Sequence, residues 1–417
     1  MTIKEGIEQG IYSKGLSKRL KIDGVTKDYP SYKIPLDMLF YNDLNGRIST
    51  HIQQYKSENN QDLNDILVKD REKYNDIIGE FIKESSNDDQ ASFIKTKNDI
   101  KQNGQIEVGV ILDDGRIIDG NRRFTALRDL FKETGNPKYK YFEAVQFATP
   151  SVEDKDGWQK IKFLELNLQF NVDNKKDYNK IDFLVSFYTD TMEDKPNRID
   201  QKQYCFASGM KPGEYKTNKL IVETMLDYLR WRGVPNAFYL LKNEKLDGPI
   251  EDIAKKRSKL SESEWNANKA YIYNCMTFSG NDRTRIIRQL MDSLIKGGSL
   301  FDIMKQSMDS PALIQSQKAV RLMNLKTQMT GEQASDLDKS KQELSSKIEN
   351  AFREGIYKEG ASKTLSSPLN YLNEALKNID LLNPLQIKDF PVDKKDEIKN
   401  TLSSLISKLE SIKNEIE

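Results

Sequence analysis

Short runs of apolar residues, separated by turn residues, characterise the first third of the chain. Residues 107–112 and 116–118 predict two strands, and the Asp-Asp-Gly segment at 113–115 predicts a hairpin turn between them. This pattern indicates a small α+β domain over residues 31–150, preceded by an N-terminal extension at 1–30.

Helical spacing of apolar residues dominates the rest of the chain. It occurs over residues 63–101 and resumes from residue 158 onward, with apolar positions three and four residues apart. We therefore expect an all-helical domain over residues 151–330, after the α+β domain. A polar stretch at 330–335 predicts a hinge into a helical C-terminal region at 336–417.

The C-terminal region carries a repeating apolar stripe. Its members alternate spacings of four and three residues: Ile398, Leu402, Leu405, Leu409, Ile412 and Ile416. A stripe of this kind is typical of one face of a helical bundle, and also of a helix that pairs with a second copy. The sequence leaves both interpretations open, so a homodimer formed by this region is one of two expectations.

Charge, hydropathy and cysteine content limit the classes of protein to which the chain can belong. The chain of 417 residues has 65 basic and 64 acidic side chains, so its net charge of +1 provides no general attraction to nucleic acid. No signal peptide and no membrane span are recognisable, and we therefore expect a cytoplasmic protein without membrane contact. Cys205 and Cys275 have no Cys or His close by in the sequence, which favours reduced thiols over a disulfide or zinc site.

The sequence contains a single histidine, His51. Zinc sites built on imidazoles, Ser-His-Asp triads and HNH nucleases all need more histidines, or better placed ones. These classes of enzyme are therefore disfavoured.

One motif carries candidate chemistry. Residues 119–128 read Asp-Gly-Asn-Arg-Arg-Phe-Thr-Ala-Leu-Arg, after a predicted strand and at the start of a predicted helix. Gly120 permits a tight turn, and the free amides at a helix N-terminus attract anions. Arg122 and Arg123 add forked donors that suit phosphate oxygens. The motif predicts a phosphate-binding cradle; the alternative is a surface loop whose arginines pair with carboxylates.

The motif resembles the Gly-Glu-Arg-Arg box of ParB-like proteins, and other segments follow in the order found in that family. Residues 34–37, together with Asn42 and Arg47, are similar to the first ParB box. Residues 100–107 resemble the helix end and glycine turn that precede the strand, and residues 164–169 are similar to the Asn-Leu-Gln box. The resemblance implies a ParB/sulfiredoxin-like fold for the α+β domain.

The resemblance also implies a site for a nucleoside triphosphate, CTP or ATP, with Mg²⁺ left open. The nucleotide-binding residues that it implies are Arg47, Gly104, Gln105, Asp119, Gly120, Asn121, Arg122, Arg123, Thr125 and Asn167. The Asn-Leu-Gln box departs from the family, because its acidic position falls on Leu166 and its arginine position on Phe170. Glu165 is the substitute that the sequence offers as metal ligand and catalytic residue, so a CTPase-like activity stays open.

Two predicted helices follow this box, where ParB proteins carry a helix-turn-helix. The first spans residues 199–210, and the second begins near Glu214 and ends near Arg232. Residues 195–232 contain eight basic and four acidic side chains, an excess that suits contacts with DNA phosphates. The predicted DNA-binding residues are Lys202, Lys211, Lys216, Thr217, Asn218 and Lys219. The alternative is a core helix pair with a solvated polar face.

Two further expectations concern Asn218 and a later basic cluster. Asn218 is expected to form a bidentate contact with adenine, as asparagines on recognition helices do. Arg283, Arg285 and Arg288 stand at the start of a later predicted helix and offer either a grip on backbone phosphate or a solvated face.

Together these features predict a ParB-like protein whose grip on DNA is switched by a bound nucleoside triphosphate. Proteins of this type serve partition or plasmid and phage maintenance, and a partner ATPase is a further expectation of the resemblance. Two alternatives stay open: an NTPase or nuclease of a mobile-element or defence system, and a nucleotide-independent transcriptional or architectural DNA-binding protein.

Overall fold

The computed structural model describes residues 2–22, 24–85, 90–150, 157–170, 179–194, 198–280, 282–308, 311–324, 330–361 and 367–416. Within these ranges the N-terminal part contains a six-stranded sheet, and the remainder is almost entirely helical. The α+β class and the helical remainder that the sequence predicts are therefore confirmed.

The N-terminal part combines the sheet with six helices. Strands β1 to β6 are Lys14–Ile22, Val25–Pro35, Phe40–Tyr41, Gly109–Leu112, Arg116–Asp119 and Tyr141–Phe147. Helices α1 to α6 are Ile3–Glu8, Ser49–Asn59, Leu63–Lys69, Arg71–Glu84, Ala91–Asn103 and Asn121–Thr134.

The helical part contributes fourteen further helices in the described ranges. Helices α7 to α13 are Gly157–Phe170, Lys180–Thr191, Gln201–Ser208, Pro212–Arg232, Phe238–Asn243, Asp247–Arg257 and Glu262–Phe278. Helices α14 to α20 are Arg283–Lys296, Ser299–Ser307, Pro311–Asn324, Gly331–Ala361, Ser367–Asp380, Pro384–Lys388 and Val392–Ile416. Among the described residues, no helix is long and apolar enough to cross a lipid bilayer.

The sheet has the strand order β1-β2-β6-β4-β5-β3. Strands β4 and β6 pair in parallel, as do β3 and β5, whereas β1–β2, β2–β6 and β4–β5 are antiparallel. The segment at 1–30, expected to be an extension, supplies β1 and the first half of β2 at one edge of the sheet. Only Leu20 of β1 is buried. The strand therefore lacks the alternation of buried apolar and exposed polar residues by which a strand is recognised in a sequence.

Both faces of the sheet are covered, and by different parts of the chain. On one face Ile34, Ile111 and Phe142 join a core with residues of α4 and α6, such as Ile78 and Phe124. On the other face Val110 and Ile118 pack with Leu168 of α7. Helix α7 was expected to belong to the helical domain, yet it completes the core of the sheet.

A buried ion cluster joins α7 and α8 to the N-terminal part. The side chain of Lys162 is 3% exposed, and its ammonium lies 3.1 Å from Glu165 and 3.5 Å from Asp190. It also donates to the carbonyl oxygen of Leu44 at 2.7 Å, and the amide of Gly46 donates to Glu165 at 3.1 Å. Burial alone would lower the pKa of Lys162, but the carboxylates of Asp190 and Glu165 raise it, so this lysine stays charged.

A second buried carboxylate, that of Asp182 on α8, holds the start of α2. The backbone amide of Thr50 donates to it at 3.2 Å, and the hydroxyl of the same residue also donates to it. The ammonium of Lys242 lies 2.7 Å from Asp182 and 3.0 Å from His51. Burial and the charge of Lys242 lower the pKa of His51 to about 4. The segment from Leu44 to Thr50 is therefore fixed from two sides by the helical part.

The helical part has its own core, in which α10 is central. Tyr228 of α10 packs edge-to-face against Tyr273 of α13 with 5.3 Å between ring centroids. Asp227 accepts hydrogen bonds at 3.0 Å from the indole of Trp265 and from the hydroxyl of Tyr273. These bonds explain how a carboxylate is tolerated inside this core.

The C-terminal helices differ in how far they join this core. Helix α17 packs against α15 and α16, and its Leu344 and Ile348 are buried in the core of the helical part. In α19 and α20, and among the described side chains of α18, no residue is buried. The predicted apolar stripe lies on α20, where Leu402, Leu409 and Ile412 are exposed and Ile398 and Leu405 are half-buried.

Replacing Lys162 with Met should lower the free energy of unfolding by about 3–5 kcal/mol, because two buried carboxylates would lose their cation. Urea denaturation followed by circular dichroism measures this change. Lys202→Met, at an exposed lysine of α9, is the matched control and should cost less than about 1 kcal/mol. Equal losses in the two variants would show that the ion cluster does not hold the two parts together.

Candidate anion-binding site

The predicted cradle lies at the junction of β5 and α6. Strand β5 ends at Asp119, and Gly120 turns the chain with a φ of 101°, a left-handed conformation that glycine adopts readily. A Cβ atom at Gly120 would lie 2.8 Å from the ring of Phe142, so a side chain has no room there. Phe124, 0% exposed, anchors the first turn of α6 in the core. The backbone amides of residues 121–123 are thereby held at an open helix N-terminus.

A cavity of about 440 Å³, which we call the α6 cavity, opens at this helix start. Six of the ten residues implied by the ParB resemblance line it: Arg47, Asp119, Gly120, Asn121, Arg122 and Arg123. Arg47 comes from the short helical turn after β3, far from the others in sequence. The structure therefore brings the three arginines of the prediction to one place.

Asp119 orients two cations at the rim of this cavity. Its Oδ2 atom lies 3.2 Å from Arg123 Nη2 and 3.2 Å from Lys18 Nζ. Burial alone would raise the pKa of Asp119, but the charges of Arg123, Lys18 and Arg47 lower it. The carboxylate therefore stays ionised and fixes the guanidinium of Arg123. Lys18 comes from β1, which the sequence did not reveal as a strand, and so its role was missed.

The cavity wall includes polar atoms that are buried without a hydrogen-bond partner in the described part of the chain. Among them are Oδ1 of Asn121 and Nε of Arg123. Asn121 is only 8% exposed, so its amide is almost wholly withdrawn from bulk solvent. Leaving a buried polar group unsatisfied costs about 1–3 kcal/mol, which a ligand with matching groups would offset.

The cavity wall combines charged side chains of both signs with apolar ones. Arg47, Arg122 and Arg123 surround the helix start, and Arg122 donates to the hydroxyl of Ser92 at 2.9 Å. Residues of α5 and of the segment that follows it complete the wall with two carboxylates, one lysine and two apolar side chains: Asp99, Glu107, Lys95, Ile100 and Ile106. The first group suits an oxyanion, and the second suits a less charged body with hydrogen-bond donors.

Four of the implied nucleotide-binding residues do not line the cavity. The side chain of Gln105 bonds to both backbone groups of Glu143, which fixes the segment before β4 against β6. Gly104 ends α5 with a φ of 75°. The hydroxyl of Thr125 bonds to Tyr41 at 2.7 Å, and Asn167 donates to the carbonyl oxygen of Phe163 at 2.9 Å. In this structure these four residues stabilise the segments around the cavity and do not line it.

Glu165 makes structural contacts through both of its oxygens. One accepts from the amide of Gly46, and the other pairs with Lys162. Within the part of the chain that the structure describes, no cluster of three or more His, Cys, Asp or Glu residues could hold a metal ion. The pairing with a lysine is what a buried carboxylate requires, and the expected metal and catalytic role of Glu165 stays a prediction.

The predicted helix pair forms, with a turn at Gly209 between α9 and α10. Four of its predicted DNA-binding lysines are exposed: Lys202, Lys211, Lys216 and Lys219. Thr217 bonds to the carbonyl oxygen of Gly213 at 3.0 Å and is partly exposed.

The position of Asn218 does not match the expectation of a base contact. This residue is 9% exposed, and its amide lies 3.6 Å from the sulfur of Met210. It shares a helix face with Tyr215 and Ile221, both buried, because residues three apart lie on the same side of a helix.

A basic cleft lies beside this helix pair, with a volume of about 550 Å³. Lys216 and Lys219 line it together with Arg198 and Asp200. The sequence did not single out Arg198, which precedes α9. Lys195, counted in the basic excess of this region, lies outside the described residues.

The later basic cluster separates in the structure. Arg285 pairs with Asp282 at 2.6 Å, and Arg288 pairs with Asp252 at 3.1 Å. Arg283 turns inward and donates to the carbonyl oxygen of Glu244 at 2.8 Å. The three arginines therefore do not form one surface for backbone phosphate.

Comparison with protein-family models, with curated proteins and with solved structures found no match for this chain. The ParB-like resemblance consequently rests on the residues quoted for it. What the structure adds is a geometry: a helix start, three arginines and unsatisfied buried polar atoms around one cavity.

Proposed function

We propose that the chain binds a nucleoside triphosphate in the α6 cavity and that this ligand alters its grip on DNA. The observation that carries the proposal is the convergence of Arg47, Arg122 and Arg123 at the open N-terminus of α6. Guanidinium groups and free helix amides together are the usual protein environment of phosphate oxygens.

The size and lining of the cavity favour a nucleotide over a bare phosphate ion. Its volume of about 440 Å³ lies in the range of small-molecule sites, and its wall includes apolar and acidic side chains beside the arginines. Ile100 and Ile106 offer an apolar wall to a base. Asp99 and Glu107 offer acceptors for hydroxyl or amino groups.

Arg47 provides a direct connection between the ligand and the helical part. It stands between Gly46, whose amide bonds to Glu165, and Thr50, whose amide bonds to Asp182. A phosphate that draws Arg47 toward α6 pulls on both contacts, which lie on α7 and α8. Helix α8 packs against α10 of the proposed DNA-binding pair, so the pull reaches that surface.

The proposed DNA contact is electrostatic and directed at the backbone. Lys216, Lys219 and Arg198 offer three cations beside one cleft, against the single carboxylate of Asp200. Because Asn218 faces the interior, the contact that we propose is with phosphates and is independent of base sequence at this residue.

We also propose that the chain forms a homodimer through α20. Leu402, Ile406, Leu409 and Ile412 are between 38% and 55% exposed, although large aliphatic side chains on one helix face normally pack against a partner. The helix carries five lysines and five acidic residues in the sequence, so it does not repel a second copy of itself.

Replacing Arg122 and Arg123 together with Ala should weaken nucleotide binding by roughly 100-fold or more, because each charge-assisted hydrogen bond contributes about 1.5–3 kcal/mol. Binding of labelled CTP, ATP and GTP, with and without Mg²⁺ and mixed-sequence DNA, measures the effect and identifies the base. Arg19→Ala, on the exposed side of β1, is the control and should bind like the wild type. Absence of nucleotide binding by the wild type would refute the switch and leave a plain DNA-binding protein.

Replacing Lys216 and Lys219 together with Ala should weaken binding to DNA of any sequence. The slope of log K against log salt should fall by about two, since each lost phosphate contact removes about one unit. Fluorescence anisotropy over a salt series gives this slope. Lys296→Ala plus Lys318→Ala removes the same charge from a distant surface and should leave the slope unchanged; a loss of slope equal to that of the first variant would contradict the proposed surface.

Replacing Leu402 and Leu409 together with Asp should convert the dimer to a monomer, because four carboxylates would then be buried in one interface. Light scattering after size-exclusion chromatography measures the mass in solution. Ser404→Asp plus Ser411→Asp adds the same charge outside the apolar stripe and should remain dimeric. A wild-type protein that is monomeric at micromolar concentration would refute the dimer.

A further inference from the structure

A second cavity, far larger than the α6 cavity, lies between helix α2 of the N-terminal part and several helices of the helical part. Its volume is about 1100 Å³, and its wall is built from α2, α10, α11, α13, α16 and α17, together with Ser279, Gly280 and Arg283. We call it the α14 cavity. Neither the predicted nucleotide site nor the predicted DNA surface accounts for it.

Arg283, the first residue of α14, lines this cavity and makes no ion pair among the described residues. Its guanidinium donates to the carbonyl oxygens of Glu244 at 2.8 Å and Ser279 at 3.3 Å. Its Nε atom is buried without a hydrogen-bond partner in the described part of the chain. Burial lowers the pKa of this arginine, as expected for a cation that has lost water without gaining a paired carboxylate.

The nearest carboxylate is already engaged elsewhere. Glu244 Oε1 lies 2.8 Å from Arg232 Nη2, and Oε2 accepts from Nη1 of the same residue at 2.8 Å. Arg232 is 3% exposed and also donates to Asn324 at 3.1 Å. A bidentate pair of this kind satisfies both carboxylate oxygens. The charge of Glu244 still favours the charged form of Arg283, but burial outweighs it and lowers the pKa of this arginine.

A second cation without an ion pair among the described residues lines the same cavity. Lys341 projects from α17 and is half-buried. Glu58, the other acidic residue of the wall, is exposed. Arg283 and Lys341 therefore give the cavity a net positive interior wall.

The local sequence around Arg283 repeats that of the α6 cavity. Gly280 precedes Arg283 by three residues, as Gly120 precedes Arg123, and an asparagine follows each glycine. In both places the arginine lies in the first turn of a helix of fourteen residues. Asn281 lies outside the described residues, so the comparison here is one of sequence and helix position.

We propose that the α14 cavity binds a small phosphorylated molecule, with Arg283 and Lys341 contacting its phosphate oxygens. The hydroxyl or amide side chains of Thr277, Asn243 and Gln54 also line the cavity and offer neutral hydrogen bonds to the rest of such a ligand. Duplex DNA is excluded as the ligand, because Arg283 lies in a concave site between helices and a phosphate backbone does not enter it.

Binding at the α14 cavity is measured alone when the arginines of the α6 cavity are first replaced. The background protein is the full chain with Arg122→Ala plus Arg123→Ala, and the probe is inorganic pyrophosphate in isothermal titration calorimetry. We expect the background protein to bind one pyrophosphate. Adding Arg283→Met or Lys341→Met should weaken this binding by at least roughly tenfold each, as expected for loss of a charge-assisted contact.

Lys347→Met, at an exposed lysine of the same helix as Lys341, is the matched control and should leave pyrophosphate affinity unchanged. Lys341→Met keeps the test valid if Arg283→Met does not fold. Lys341 makes no ion pair among the described residues, so its loss leaves no buried carboxylate without a partner. Absence of pyrophosphate binding to the background protein would overturn the proposal, as would equal losses in Lys341→Met and Lys347→Met. Neither result depends on whether the α6 cavity binds nucleotide.

Discussion

One buried ammonium group, that of Lys162, is central to the contact between the two parts of this molecule. It lies between the carboxylates of Glu165 and Asp190 and also bonds to the backbone of Leu44. Removing these charges from water is costly, so the cluster is stable only while all its members are present. The segment that carries Arg47 is therefore held beside α6 in part by the residues of α7.

Local chemistry made the cradle at residues 119–123 predictable, because a glycine, a helix start and two arginines are adjacent in sequence. Contacts between residues that are distant in sequence were not predictable in the same way. Strand β1 escaped recognition because its lysines and arginine leave only Leu20 buried. Asn218 looked like a base-reading residue because the sequence does not show which face of α10 packs inward. The structural contacts of Glu165 were missed because Gly46, which bonds to one of its oxygens, is distant in the chain.

A chain with almost no net charge can still gather cations at particular sites on its structure. The net charge is +1, yet the α6 cavity collects Arg47, Arg122 and Arg123, and the cleft beside α10 collects Lys216 and Lys219. Other cations pair with neighbouring carboxylates, as Arg288 does with Asp252. Electrostatic function therefore depends on where the cations gather, and not on their total number.

Helix α7 has a consequence for how the chain can be divided. Its residue Leu168 covers Val110 and Ile118 of the sheet, while its residues Lys162 and Glu165 engage α8 and the segment before α2. A fragment that stopped at residue 150 would expose one whole apolar face of the sheet to water and would tend to aggregate. The sheet and helix α7 must therefore be inherited together. Recombination that exchanged the sheet without α7 would leave this apolar face uncovered.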